Sequence, residues 1–433
     1  MNMTTPPSSA FSHATHMPRL LFLHPRSWTG DIYSLQALQE QGFEVCVLEE
    51  DRKSARGRYH HTPNFEQIEG IPTLWYHPKR HWARWLCWPL DVFLKRGFDG
   101  RSLLHRMLTI LYATHHFKPD IIYCGDAFTY ALPAGLLRRF GWLKTPVMAQ
   151  AIGGDVLDVP EAEVGKRRTG IAFKLMQWGL PYLDRFRAIS PLIQDTLEEI
   201  FHIAADRIFV LPNHLPLHQN DIDHLTKQRL TKREEIRLQY GIPKQACVFV
   251  TLSGNLKGKG IHLFANIWSI IQTIAPNSYW LLCGPDNAWF SKNVLPLIEP
   301  SIVNGRILLT GSLPQHLVYS YYAAGDLFIN PTLADGLNMT VIEAALMQLP
   351  AICSSHAGVA TWVTKYDAGW VTDSNHSSDF INTIKNALSS LQNRSIAEAY
   401  QERALAMSRE FTPERIFTAL KTEIYRLLPE TER

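Results

Sequence analysis

The stretch RILLTGSLPQHLVYSYYAAGDLFINPTLADGLNMTVIEAALMQLPAICSS, residues 306–355, alternates short apolar runs with segments of helical length. The runs at 306–311, 326–331 and 350–355 have the length and apolar character of buried strands. Strands that alternate with helices indicate a mostly parallel sheet with helices on both faces. The stretch therefore predicts an open α/β sheet, in which ligands bind beyond the carboxyl ends of the strands.

The same alternation continues in both directions and forms two groups of strands. The first group is expected at 19–24, 43–48, 71–76, 120–124, 146–152, 185–190 and 208–216. The second group is expected at 247–253, 279–284, 306–311, 326–331 and 350–355. A helix with one buried face is expected at 31–41, and Thr412-Pro413-Glu414 is a typical helix start. The pattern predicts an α/β chain of two doubly wound, Rossmann-like domains that face each other across a cleft.

The break between the two groups sets the expected domain limits. We predict a disordered N-terminus over 1–17, an N-terminal domain over 18–216 and a second domain over 217–411. A terminal helix is expected over 412–433. The stretch that opens the second domain is interpreted as a solvated linker, because it is rich in charged residues.

Composition and charge exclude several classes of protein. The chain has 433 residues, of which 46% are apolar, so it can build real cores. Its 43 Lys and Arg nearly balance 40 Asp and Glu, which argues against a dedicated nucleic-acid-binding protein. Six cysteines without a CxxC pair favour reduced, buried thiols. Since neither a signal peptide nor a spanning helix is evident, we expect a cytoplasmic protein.

Two loops of the second group carry residues suited to a ligand. The loop SGNLKGKG, residues 253–260, follows a predicted strand, and its glycines would let the backbone approach an anion. Lys257 and Lys259 add positive charge. Its glycine spacing is one residue short for a nucleoside-triphosphate loop, and Gly260 stands where a magnesium-binding Ser or Thr would be. A glycine-rich turn with solvated lysines is the alternative.

The second loop, residues 330–343, lies between a predicted strand and a helix that begins near Thr340. Free amides at this helix start can bind a diphosphate. Asp335 can accept hydrogen bonds from hydroxyl groups, and Glu343, one turn into the helix, can do the same for a second polyol. The alternative for Glu343 is a capping box with Thr340, in which the carboxylate binds its own helix start.

Together these features resemble the donor-binding domain of family 4 glycosyltransferases with the GT-B fold, the glycosyl transferases group 1. The order and spacing of family positions match over about fifty residues, at Gly311, Leu317, Tyr322, Asp326, Pro331-Thr332, Asp335-Gly336, Glu343-Ala344 and Pro350. The resemblance covers residues 185–425 well and 19–184 loosely.

The resemblance implies a retaining, hexosyltransferase-type glycosyltransferase that needs no cofactor and no bound metal. It would move a sugar from a nucleotide-sugar donor to a glycan or lipid-linked acceptor, in cell-surface polysaccharide or glycolipid synthesis. The terminal helix over 412–433 would cross back to the N-terminal domain. A nucleotide-sugar epimerase on the same fold and a catalytically inactive, transferase-like binding subunit are the alternatives.

The resemblance also implies roles for single residues. Asp335, in place of the family's first Glu, and Asp155 would be the catalytic residues beside the sugar. For Asp155, a helix N-cap is the alternative. Lys259 would contact the diphosphate and Glu343 the ribose, while residues 311–313 would face the nucleobase. The donor-binding residues would be Gly254, Asn255, Lys257, Lys259, Gly311, Ser312, Leu313, Gly336, Leu337, Asn338, Met339 and Glu343.

The sequence departs from the family pattern at several positions. Asn255 stands where the family has a phosphate-binding Arg, and Lys257 can replace it only as a point charge. Ile152 stands where the family often has His. Asp221-Ile222-Asp223 matches the metal motif of another transferase fold, but its place in the charged stretch favours a solvated linker.

The segment 76–96 combines five Lys or Arg with three Trp. Basic groups with interfacial aromatic residues suit an anionic membrane, so we expect peripheral contact with the inner face of the plasma membrane. A buried aromatic cluster with solvated charges is the alternative. The residues predicted on the acceptor or membrane side are Gly30, Lys79, Arg80, Trp82, Arg84 and Trp85.

Overall fold

The structure, a computed structural model, describes residues 17–23, 29–50, 65–68, 70–76, 103–165 and 170–428. The strands of the first sheet are β1 (Arg19–Leu23), β2 (Glu44–Glu50), β3 (Phe65–Ile68), β4 (Ile71–Tyr76), β5 (Ile121–Cys124), β6 (Val147–Ala151), β7 (Arg185–Ala188) and β8 (Ile208–Val210). They lie in the order β3-β4-β2-β1-β5-β6-β7-β8, with β3 antiparallel to β4 and the other neighbours parallel. The helices of this half are α1 (Thr29–Glu40), α2 (Leu103–Phe117), α3 (Ala131–Arg139), α4 (Gly170–Gly179) and α5 (Pro191–Phe201).

The second sheet is parallel throughout its six described strands. They are β9 (Cys247–Leu252), β10 (Ser278–Cys283), β11 (Ile307–Gly311), β12 (Leu327–Asn330), β13 (Ala351–Ser354) and β14 (Gly369–Thr372), in the order β11-β10-β9-β12-β13-β14. The helices of this half are α6 (Gln219–Gln239), α7 (Ile261–Ile274), α8 (Ala288–Asn293), α9 (Leu295–Val303), α10 (Gln315–Ala324), α11 (Met339–Leu346), α12 (Ala360–Tyr366), α13 (Ser377–Gln392), α14 (Arg394–Ser408) and α15 (Pro413–Tyr425). The predicted α/β architecture of two doubly wound domains is confirmed.

Alternate residues of β1 face two separate apolar clusters, as the two-residue period of a strand requires. Leu21 and Leu23 pack into the cluster that includes α2 and α3. Leu20 and Phe22 face the opposite side of the sheet. The residues that cover this side from α15 are Ile416, Leu420 and Ile424. The central strands are therefore buried on both faces, which explains their nearly continuous apolar sequence.

The last helix returns to the first sheet although it follows the second in sequence. Arg185 in β7 donates from Nε to Glu423 Oε2 at 2.6 Å, which fixes α15 beside that sheet. Leu215 N donates to Phe411 O at 2.8 Å and joins the two places where the chain crosses between domains. The residue limits 18, 217 and 412 stay predictions. The disorder predicted over 1–17 concerns residues outside the described part of the chain, except Met17.

Arg187, also in β7, holds the segment that leaves the first sheet. Its side chain is buried, and each of its five N–H donors can reach a neutral oxygen atom. These acceptors are Tyr123 Oη, Gln150 Oε1, Leu211 O, Pro212 O and Asn213 Oδ1, at 2.5 to 3.4 Å. The crossover after β8 is therefore tied to the sheet through one side chain.

The charged stretch after residue 216 is not a solvated linker. It forms the 21-residue helix α6, and Asp221 accepts a hydrogen bond from the backbone of His218 at its start. The buried residues of α6 are Ile222, Arg229, Ile236 and Arg237. Arg233 Nη2 and Arg237 Nη2 lie 2.5 and 2.7 Å from the two carboxylate oxygens of Asp326. Arg233 and Arg237 are four positions apart and therefore share one face of the helix. Because arginine is not apolar, hydrophobic periodicity did not predict this face.

Three further observations concern the rest of the described chain. Strands β3 and β14 were not predicted from the sequence. The five described cysteines are free thiols, four of them buried, while Cys87 lies outside the described residues. Among the described helices, none combines the length and the apolar character needed to cross a bilayer.

The ion pairs that Arg233 and Arg237 form with Asp326 lead to a prediction about stability. Asp326→Ala should leave Arg233 and Arg237 without a carboxylate and should lower the free energy of unfolding by about 2–3 kcal/mol. Urea unfolding measures this change. Lys232→Ala, which breaks the exposed pair between Lys232 and Glu235 on the same helix, is the control and should cost less than about 1 kcal/mol. Equal effects of the two substitutions would contradict a structural role for Asp326.

Candidate functional site

The lysine-containing loop 253–260 lies at the carboxyl end of β9 and leads directly into α7. Residues 257–259 form a single 3-10 turn. Gly260 follows with φ +67°, and a Cβ atom there would lie 1.9 Å from Pro331 O. Only glycine fits such a position. The loop therefore rests on the backbone that follows β12, which brings the two predicted ligand loops together.

Asn255 shapes this loop rather than facing a ligand. Its side chain is 1% exposed, with Nδ2 donating to Pro285 O at 2.9 Å and Oδ1 accepting from Ser253 Oγ at 3.1 Å. Both ends of the amide are thus used within the protein. A donor contact of Asn255 stays a prediction, and the positive charge of the loop comes from Lys257 and Lys259.

Lys259 and Asp335 form an ion pair between the two loops. Lys259 Nζ lies 2.5 Å from Asp335 Oδ2, and Asp335 Oδ1 accepts from Leu337 N at 3.2 Å. The backbone of Asp335 is also held, since its N–H donates to His356 O and its carbonyl accepts from Gly358 N. The residue predicted to contact a diphosphate therefore lies against a predicted catalytic residue.

The two domains touch at the interdomain seam, which we define as Gly153, Ser190, Gly336 and Gly358. A Cβ atom on Gly336 would lie 2.4 Å from Ile152 O, and one on Gly358 would lie 2.0 Å from Gly336 O. Ser190 Oγ donates to Gly336 O at 2.6 Å and also caps α5 by accepting from Ile193 N. At the seam the loops that follow strands of both sheets are in direct contact.

Asp155 supports the first-domain side of the seam. Its buried carboxylate accepts hydrogen bonds from Ala127 N and Gly153 N at 2.8 Å, and from Ile152 N at 3.1 Å. Burial and, to a smaller extent, the nearby Asp126 together raise the pKa of Asp155 to about 6, although the hydrogen bonds from backbone amides lower it. Because residues 154–156 form a turn, the helix N-cap alternative is wrong. The carboxylate oxygens hold backbone amides and so position the loop that meets Gly336, while a catalytic role for Asp155 stays a prediction.

Glu343 is buried in α11, with 7% of its surface exposed. Its Oε2 accepts from Tyr322 Oη at 3.0 Å, and burial raises the pKa of Glu343 to about 7 although this hydrogen bond lowers it. Asn338, not Thr340, precedes the first residue of α11, and Thr340 Oγ1 donates to Asn338 Oδ1 at 2.6 Å. The capping-box alternative for Glu343 is therefore wrong, and its carboxylate faces the interior beside α10.

The remaining predicted residues fall into three groups. Gly311 ends β11, with Ser312 and Leu313 directly after it, and Gly284 N donates to Gly311 O at 3.0 Å. Backbone positions of the two loops are occupied by Gly254, Gly336, Leu337, Asn338 and Met339, the last of which begins α11. Gly30 lies in α1, while the residues outside the described part of the chain are Lys79, Arg80, Trp82, Arg84 and Trp85.

Sequence reasoning missed the role of Ser190 and of Tyr322. Ser190-Pro191 carries a recognisable helix-start signal, because an N-cap serine precedes proline at the first helical position. Its second partner, Gly336, is 146 residues away, and no local pattern indicates such a contact. Tyr322 is one of the family positions, but its hydrogen bond to Glu343 depends on the packing of α10 against α11, which the sequence pattern does not show.

Comparison with known families accounts for both domains. A glycosyl transferase 4-like domain matches residues 34–214, and the glycosyl transferases group 1 domain matches residues 247–390. The chain therefore belongs to the group 1, family 4-like glycosyltransferases, and its two domains form the GT-B fold. The resemblance stated from the sequence is confirmed.

Two curated relatives match part of the chain. The putative teichuronic acid biosynthesis glycosyltransferase TuaC of Bacillus subtilis is 25% identical over 248 residues, which cover 57% of this chain and 56% of the relative. The O-antigen chain mannosyltransferase B of Escherichia coli is 29% identical over 150 residues, or 35% of this chain and 38% of that protein. The chain thus spans about half or less of the length of these relatives.

Solved structures match nearly the whole chain. A glycosyltransferase from Rickettsia africae aligns with a TM-score of 0.69 at 15% identity, over 95% of this chain and 99% of that chain. Anabaena Alr3699/HepE in complex with UDP and glucose aligns with a TM-score of 0.66 at 16% identity, over 95% of this chain and 100% of that chain. At this level of identity the likeness concerns the fold.

The close contact at the seam gives a second prediction. Gly336→Ala would place a Cβ atom against the backbone of Ile152 and Gly153, so the loops must separate, and stability should fall by about 1–3 kcal/mol. Thermal unfolding measures the loss. Gly154→Ala is the matched control, since a Cβ atom there meets nothing within 4 Å. If both variants melt like the wild type, the seam is not as tight as described.

Burial of Glu343 gives a third prediction, about pH. Its pKa is raised in the folded protein from 4.5 to about 7, so folding favours the protonated form. The contribution of Glu343 to the free energy of unfolding is fully present below pH 4.5, the unfolded pKa. It decreases by roughly 3 kcal/mol as the pH rises to about 7. Glu343→Gln removes the titration. The variant should therefore match the wild type near pH 4.5 and exceed it above about pH 7 in urea unfolding; a constant difference would contradict this.

Proposed function

We propose that this protein is a retaining, hexosyltransferase-type glycosyltransferase. It moves a sugar from a nucleotide-sugar donor to a glycan or lipid-linked acceptor, in cell-surface polysaccharide or glycolipid synthesis. The observation that carries the proposal is the meeting of Lys259, Asp335 and the start of α11 at the seam between the domains. The names of the relatives, which concern teichuronic acid and O-antigen chains, support a polysaccharide product.

The donor diphosphate binds where the two ligand loops meet. Lys259 and Lys257 supply positive charge, and free amides at the start of α11 add hydrogen-bond donors. Negative charge develops on the diphosphate as the bond to the sugar breaks, and fixed cations and amides stabilise it. Structures of Anabaena Alr3699/HepE with UDP and with UDP-glucose support a nucleotide-sugar donor for this fold.

Asp335 and the donor share Lys259. Without a donor, the Asp335 carboxylate neutralises Lys259, and an incoming diphosphate competes for the ammonium group. Asp335 Oδ2 then becomes available to accept hydrogen bonds from sugar hydroxyls. The ion pair thereby keeps Lys259 in place before the donor binds, which lowers the cost of ordering a long side chain.

Glu343 binds the ribose of the donor. Tyr322 holds Oε2, so Oε1 is the oxygen that accepts from the ribose hydroxyls. The turn at residues 311–313 faces the nucleobase. These contacts lie beyond the carboxyl ends of β11 and β12, where ligands bind in doubly wound sheets.

The acceptor enters from the first domain, whose loop 152–155 meets the donor loop at Gly336. Asp155 shapes this loop through its three amide contacts and acts as a positioning residue. Closing the cleft holds both reactants together and excludes water. No side chain is required as a strong base if the departing phosphate takes the proton of the acceptor hydroxyl.

Two observations favour the second candidate, an inactive binding subunit. Asn255 is buried where the family has Arg, and Asp335 is already paired with Lys259. Such a subunit would bind the donor without turnover. An epimerase would instead convert the donor without an acceptor. Product analysis with donor alone and with donor plus acceptor separates the three activities.

The shared lysine gives a fourth prediction. Lys259→Ala should weaken binding of a nucleoside diphosphate by about tenfold or more, because a charge-assisted contact is lost. Asp335→Asn frees Lys259, so nucleotide affinity should be kept or increased while turnover falls. The measurement is a thermal-shift and calorimetric panel of nucleotides and nucleotide sugars, since ligands that bind the folded state raise its melting temperature.

The control for Lys259→Ala is Lys385→Ala, an exposed lysine on α13. It should bind nucleotides like the wild type. Glu343→Ala should weaken binding of nucleotides with a free ribose more than it weakens binding of pyrophosphate. Absence of any nucleotide or nucleotide sugar that stabilises the wild-type chain would overturn the proposed donor site.

A further inference from the structure

One edge of the first domain exposes a group of aromatic side chains away from the seam. We call Phe140, Trp142, Trp178 and Tyr182 the aromatic edge; they are 47, 64, 40 and 44% exposed. The Phe140 ring lies 5.4 Å from that of Trp142 and 5.6 Å from that of Trp178. Large exposed aromatic side chains in mutual contact mark a surface that binds something, because their burial is strongly favourable.

Basic side chains accompany these rings. The Arg139 guanidinium lies 4.1 Å from the centre of the Trp178 ring and 4.6 Å from that of Tyr182. Arg207, directly before β8, donates from Nη1 to Pro181 O at 2.9 Å, and Pro181 lies in the turn after α4. Lys144 is exposed two positions after Trp142. The edge is therefore basic as well as aromatic.

The acidic residues at this edge do not cancel the charge. Asp184 is paired with Arg138 at 2.6 Å and accepts from Val147 N at 2.8 Å. Asp206 is exposed beside Arg207. The edge thus carries three basic residues, Arg139, Lys144 and Arg207, and the exposed carboxylate of Asp206.

We propose that the aromatic edge binds the surface of an anionic lipid bilayer. Trp, Tyr and Phe favour the headgroup level, where an apolar ring and a polar tip are both accommodated. Arg139 and Lys144 attract anionic headgroups. A second copy of this chain fits the edge less well, because a symmetric contact would bring the same cations together.

The position of the edge leaves the cleft free. Helices α3 and α4 each precede a strand, and the rings lie near the ends of these helices, just before β6 and β7 begin. Asp155 and Ser190 follow the same two strands at the opposite end. Five residues of β6 separate the two ends, which corresponds to roughly 17 Å. A bilayer on the aromatic edge therefore does not cover the donor site, and this surface is distinct from the predicted segment 76–96.

Vesicle co-sedimentation of the full chain tests the proposal. Wild type should bind vesicles of equimolar phosphatidylcholine and phosphatidylglycerol and should bind pure phosphatidylcholine much less. Trp142→Ser combined with Lys144→Glu should weaken binding to the anionic vesicles at least about tenfold, since each basic residue contributes about fivefold. Lys144→Glu alone should weaken it by a smaller factor.

Two matched controls lie on the other domain. Leu238→Ser removes an apolar side chain that is 84% exposed on α6, and Lys385→Glu reverses an exposed charge on α13. Both should bind vesicles like the wild type. Thermal unfolding and nucleotide binding, measured on the same preparations, should be unchanged in every variant. A failure of the donor site would appear there and not in the vesicle assay.

Three results would overturn the proposal. The first is a wild-type chain that does not bind anionic vesicles. The second is undiminished binding of the Trp142→Ser, Lys144→Glu variant, including the case in which only Lys79, Arg80 and Arg84→Glu abolish binding. The third is a wild-type dimer in sedimentation velocity that the double variant converts to a monomer, which would assign the edge to self-association.

Discussion

The backbones of the two domains touch at the interdomain seam, and the arrangement of the proposed donor site depends on this contact. Gly336 leaves no room for a side chain against Ile152, so the loops of both sheets meet at main-chain distance. Asp155 and Ser190 keep the first-domain side in place with buried hydrogen bonds, which are costly to leave unmade. The loop that carries Lys259 also lies against the first domain, since a Cβ atom on Gly258 would be 2.7 Å from Ala162 O.

The two carboxylates of the proposed donor site lie in different surroundings. Asp335 lies near solvent and is balanced by Lys259, whereas Glu343 is buried and has only the Tyr322 hydroxyl as a described partner. A buried charge is unfavourable unless hydrogen bonds compensate it. Ribose hydroxyls would supply such bonds, so the binding of a donor and the relief of a destabilised carboxylate are the same event. In the proposed function, the site would gain affinity from a group whose burial destabilises the protein without a donor.

The parallel sheets and the order of the ligand loops could be predicted, because buried parallel strands are continuous apolar runs and the loops carry a dense set of family positions. Helix α6 could not be predicted, since its buried residues are two isoleucines, Ile222 and Ile236, and two arginines, Arg229 and Arg237, rather than a continuous apolar stripe. The contact between Ser190 and Gly336 and the use of Asn255 inside its own loop depend on packing across distant segments. Sequence spacing places such residues near a site but does not say which atoms they use.

Arg187 holds the crossover after β8 through hydrogen bonds to neutral groups. All five acceptors of its guanidinium are neutral oxygens, and the group is buried. Dissolved ions screen exposed charges far more than buried ones. Raising the ionic strength should therefore weaken the partly exposed ion pair of Lys259 and Asp335. The crossover after β8, which Arg187 holds, should stay in place. Salt should therefore weaken the ion pair of Lys259 and leave the hydrogen bonds of Arg187 largely unchanged.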